Sequence, residues 1–146
     1  MASYEKRTWW SRLGMTERLG NEAFLEASIT TAFLIAAADG SASESEYDAL
    51  LDRLEILGGI DRDKIDEILT AVSNDVEANG FDGRLARLTE LLTQKDAAQA
   101  AIMLGVAIAL SDDDFSADER ELAAKVCTAV GLAGLDLDAM VTEIRG

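Results

Sequence analysis

The sequence predicts an all-α protein, a compact bundle of seven to eight helices, and three observations carry that prediction. Alanine and leucine dominate, proline is absent and only 5% of residues are aromatic, a composition of strong helix formers. Apolar residues recur at three- and four-residue spacing through most of the chain. The same order of segments returns when the sequence is slid by 73 residues, which predicts an internal pseudo-two-fold repeat. With 146 residues, 49% of them apolar, the chain suits one domain that buries about two-thirds of its unfolded surface.

The elements follow in order. Residues 4–13 set Trp9 and Trp10 among basic side chains and predict a short amphipathic helix. A long helix is expected over 16–38, and its second half, ASITTAFLIAAA, is apolar on nearly every face, as suits the middle of a bundle. Ser43 opens SESEYDALLDRLEILG, stopped by Gly58-Gly59. Asp61 caps a helix over 62–78 that Asn79-Gly80 ends, and another follows over 82–94. A second all-round apolar helix covers 96–110. Ser116 starts the helix 117–130, closed by Gly131, and Asp136 caps the last, which runs to about 145.

In the 73-residue register Ile35 falls on Ile108, Asp39 on Asp112, Ser43 on Ser116, Glu46 on Glu119 and Gly58 on Gly131. The copies span about 23–78 and 96–145. Each is a buried helix, an acidic turn, an amphipathic helix and a capped one. Two copies suit a closed domain, since an open solenoid needs at least three. The chain therefore divides into a basic N-terminal segment, 1–20, and a helical domain, 21–146.

Charge excludes several functions. The net charge is −15, yet residues 1–20 hold four cations against two acids and leave −17 on the remainder. Such a body repels nucleic acid and attracts cations or basic partners. A single cysteine, Cys127, and no histidine exclude an intrachain disulfide and Cys/His zinc sites. No Ser/His/Asp set, Cys/His pair or Gly-rich phosphate loop can be assembled, so a non-enzymatic role is expected. The longest apolar run, AAIMLGVAIAL, is too short to cross a bilayer, and no secretory signal is visible. A cytoplasmic location is expected. Cys127 lies among Ala124, Val126 and Val130 and reads as a small core residue. Trp9 and Trp10 either cover part of the bundle or touch a membrane surface beside Arg7 and Arg12.

The acidic turns hold the candidate site. Ser43-x-x-Glu46 and Ser116-x-x-Glu119 are both capping boxes, which explains the two glutamates without any ligand. Asp39 and Asp112 are different, because a carboxylate at a helix C-terminus opposes the dipole at a cost of about 0.3–1 kcal/mol. Asp113 and Asp114 beside Asp112 add mutual repulsion. A hard cation of the Ca²⁺, Mg²⁺ or Mn²⁺ class would relieve it through oxygen ligands. Neither turn is an EF-hand, for the twelfth position is Leu50 in one and Ala123 in the other.

AAADGSASESE and ALSDDDFSADERE resemble the paired acidic turns of the tellurite-resistance TerB family. NEAFLEASITTAFLIAAADG is similar to that family's first long helix, and DAAQAAIMLGVAIALSDDDFSADE to its second repeat, so the likeness covers roughly residues 21–132. The resemblance implies an all-helical pseudo-duplicated bundle whose acidic residues gather on one surface and bind divalent metal. Carried onto this chain, that surface holds Asp39, Glu46, Asp112 and Glu119, and the residues themselves add Asp114 as a candidate auxiliary. Asp113 departs from the family pattern, which has glycine there. The resemblance further implies a stress-response role with a TerC-like membrane protein or other stress proteins, at the inner face of the membrane. The alternative is a metal-independent scaffold whose acidic face docks a basic partner.

Overall fold

The computed structural model describes residues 8–38, 48, 52, 61–109 and 116–145. Among them are seven helices and no strand: α1 (Thr8–Arg12), α2 (Met15–Arg18), α3 (Glu22–Ala36), α4 (Arg62–Leu91), α5 (Lys95–Ala109), α6 (Ala117–Ala129) and α7 (Leu137–Arg145). The all-α bundle expected from composition and periodicity is the fold observed.

The two apolar helices form its centre. Phe24, Leu25 and Ala27 through Ile35 are buried in α3, as are Ala98 and Ala100 through Ala109 in α5. They lie side by side in parallel. Asn21 and Phe24 share a hollow with Gln94 and Ala97 at one end, while Gly105 abuts Thr31 further along. The helix expected from residue 16 instead breaks, and α3 starts at Glu22. Asn21 causes this, its Oδ1 accepting from the Phe24 N–H at 3.1 Å, which satisfies an otherwise orphaned donor. The segment before it is the separate short α2, preceded by Gly14 at φ 63°.

α4 is two helices joined at a kink. Gly80 takes φ 77° and ψ 176°, outside the helical region, and the absence of a Cβ permits it. Lys64 pairs with Glu22 at the start of α3. Phe81, just past the kink, reaches Ala38 at the far end, and Leu91–Leu92 return to Phe24. Arg84 locks the fold-back. Its guanidinium, 9% exposed, meets Glu26 at 3.2 Å and Asp75 at 3.4 Å, while Arg87 also holds Glu26 at 3.1 Å.

The N-terminal segment docks on the bundle. Trp9 and Trp10 are both buried, tilted against each other at 6.0 Å, and Trp10 Nε1 donates to Thr16 Oγ1 at 2.8 Å. Arg12 grips both carboxylate oxygens of Glu143 on α7 at 2.8 Å. The indoles thus cover part of the core, one of the two arrangements the sequence left open.

The caps and the glycine stop of the second copy that fall among the described residues are present. Asp136 Oδ1 accepts from Ala139 N at 3.1 Å, and Gly131 at φ 83° ends α6 with Leu132 N reaching back to Cys127 O. Asp61 likewise caps α4. The helix expected over 43–57 lies outside the described residues, apart from Asp48 and Asp52, so the two-fold relation between the copies stays an expectation of the sequence.

Candidate functional site

One pole of the bundle gathers the flanks of both acidic turns. α3 carries the chain to Ala38, immediately before the first turn. The parallel run of α5 brings Ala109 toward the same pole, and α6 begins there at Ser116. Ala38 and Asp118 line a single hollow of about 170 Å³, together with Phe81, Glu121, Leu122 and Lys125. The last residue before one turn therefore stands beside the first turn of the helix that closes the other.

Glu119 is the one predicted site residue that falls within the described part, and it is half-buried. Its Oε1 accepts the Ser116 backbone N–H at 2.9 Å, while Ser116 Oγ accepts the Glu119 N–H at 3.1 Å. This is the complete capping box that the spacing predicts. Its second oxygen makes no hydrogen bond among the described residues. Asp39, Glu46, Asp112 and Asp114 lie outside the described residues, as do Asp113 and the first capping box.

Among the described residues no three His, Cys, Asp or Glu side chains gather as a metal would require. The donors that reach the hollow are Asp118 and Glu121, with Lys125 opposite in charge. From the sequence, no site role is expected for Asp118, Glu121 or Lys125. Their spacing, 118, 121 and 125, puts them on one helix face, a signal available from the chain alone. The residues present fit a hard cation in kind, since carboxylates supply oxygen ligands and Glu119 can cap its helix through one oxygen while offering the other.

Cys127 is 2% exposed, and burial pushes its thiol up to about 11. Thiolate chemistry is therefore suppressed at neutral pH. No helix among the described residues is long and apolar enough to cross a membrane.

Among the described residues, paired parallel apolar helices wrapped by amphipathic ones define an all-helical domain without strands. A family model described as tellurite resistance protein TerB matches residues 25–141. The chain belongs to the TerB family. No curated protein and no solved structure matches the chain at a significant level.

Proposed function

We propose that this protein is a non-enzymatic acidic module of the tellurite-resistance type that binds one divalent cation of the Ca²⁺, Mg²⁺ or Mn²⁺ class. Asp39, Glu46, Asp112 and Glu119 supply the carboxylates, with Asp114 as an auxiliary. The observation that supports this is the meeting of Ala38 and Asp118 at one hollow, because the two turns spring from those ends. Charge supports it too: Asp112, Asp113 and Asp114 are adjacent in a chain of net −15, and such a run repels itself unless a cation stands among it. By family resemblance, the module acts in the cytoplasm with a TerC-like membrane protein or other stress-response proteins.

The full capping box at Ser116 and Glu119 favours a second reading, because it gives that glutamate a structural task with no ligand. In this reading the protein is a metal-independent scaffold that docks a basic partner on its acidic face. An amide NMR titration of the full chain with Ca²⁺, Mg²⁺ and Mn²⁺ separates the two. Cation binding predicts saturable shifts at Ala38, Ser116 and Asp118 that Asp39→Asn and Asp112→Asn abolish. Spectra unmoved by every cation would leave the scaffold.

A further inference from the structure

A groove runs between the second half of α4 and α6. The 170 Å³ hollow and a larger one of about 420 Å³ share Glu121 and Lys125 and so form one trough. Its floor is apolar. Phe81 and Leu85, four residues apart, are only partly buried, and Ala124 and Ala129 on α6 line the trough with Leu85. Ala124 and Thr128 are exposed, and their small side chains leave room above the floor for side chains from outside.

The rim is acidic. Asp118 and Glu121 line the trough, and Asp82 is exposed three residues before Leu85, on the same side of its helix. None of the three has an ion-pair partner among the described residues. Arg12, Lys64, Arg84 and Arg87, by contrast, are committed to Glu143, Glu22, Glu26 and Glu90. Among the described residues, Lys125 is the single cation lining the trough.

From this pairing of apolar floor and unneutralised acidic rim, we infer that the groove docks an amphipathic helix of a partner protein, apolar on one face and flanked by lysine or arginine. A trough between two adjacent helices accepts a third by ridges-into-grooves packing, with apolar anchors at helical spacing. The acidic rim selects the charge of those flanks and speeds encounter. The trough adjoins the candidate cation site at the hollow of Ala38 and Asp118, but its apolar floor at Leu85, Ala124 and Ala129 lies beyond that hollow, and the inference holds whether or not the turns bind a cation.

A synthetic amphipathic helix of Leu, Ala and Lys, titrated into the full isotope-labelled chain, is the probe. Its controls are a peptide of the same composition in scrambled order and one with Glu in place of Lys. The docking groove predicts that only the cationic amphipathic peptide shifts the Leu85, Ala124 and Thr128 amides. Ala124→Arg, and separately Thr128→Arg, both at exposed positions, should weaken it about tenfold or more while helicity is unchanged. Asp118→Asn combined with Glu121→Gln should weaken it several-fold and flatten its salt dependence. Equal binding by the scrambled peptide overturns the proposal. So do shifts that map elsewhere, or full affinity in both arginine variants.

Discussion

Gly105 faces Thr31 across the central helix pair so closely that a Cβ on it would stand 2.5 Å from Thr31 Cγ2 and 2.7 Å from Thr31 Cβ. The next neighbour is backbone, Ala32 N at 3.2 Å, so the clash cannot be relieved by a side-chain rotation alone. Gly105→Ala should therefore destabilise the protein by about 1–3 kcal/mol, although alanine is the better helix former. Adding Thr31→Ala removes the Cγ2 contact but leaves a Cβ at 2.7 Å, so it should recover only part of that loss. Denaturant melts of the two single variants and the double variant measure the coupling.

Arg84 sits where removing one partner strands others. Arg84→Met takes the guanidinium from between Glu26 and Asp75 and frees the fold-back at Gly80. Both carboxylates are partly exposed, at 23% and 31%, so the cost should fall below the 3–5 kcal/mol of a fully buried pair, at about 1–3 kcal/mol. Hydrogen exchange should report it first in the second half of α4.

Docking of the N-terminal segment rests on packing more than on charge. Trp9 is 1% exposed, and Trp9→Ala should cost about 3–5 kcal/mol. Arg12 and Glu143 are nearly half exposed, so Arg12→Ala should cost no more than about 1 kcal/mol. Thermal melts of the two variants rank them, and tryptophan emission of the wild type should barely respond to salt.

The folded protein holds the Cys127 proton more tightly than the unfolded chain, because burial raises the thiol from 9.0 to about 11. This contribution is fully present below pH 9 and is lost as pH rises toward 11. It amounts to about 2–3 kcal/mol. Denaturation midpoints measured across that window should fall more steeply in the wild type than in Cys127→Ala. A thiol reagent at neutral pH should label the native chain far more slowly than the unfolded one.

Local chemistry was the legible part of this fold. The caps at Asp61, Ser116 and Asp136, the stop at Gly131 and the break at Gly80 depend on residues within one turn of each other, and each is where its side chain predicts. The start of α3 was misjudged because apolar periodicity from residue 16 outweighed the Gly20-Asn21 signal. Long-range partners left no trace in the pattern. Arg84 looks like any surface arginine until Glu26, 58 residues away, is folded against it, and Gly105 reads only as a weak helix position. At the candidate site, the capping role of Glu119 was legible because Ser116 stands three residues before it. Phe81 and Ala38, which line the hollow with Asp118, come from distant parts of the chain and could not be read from spacing.

The central claim is that Asp39 and Asp112 hold a divalent cation, and thermal melting with chelator and with added Ca²⁺, Mg²⁺ or Mn²⁺ tests it most directly. Cation at about a hundred times its dissociation constant should add about 2.7 kcal/mol to the folded state. For a chain of this size that is a rise of roughly 5–10 °C in midpoint. Asp39→Asn and Asp112→Asn should abolish the rise, yet melt in chelator at or above the wild-type temperature, because their repulsion is gone. A wild-type midpoint unmoved by all three cations, with both asparagine variants less stable than the wild type in chelator, would contradict it.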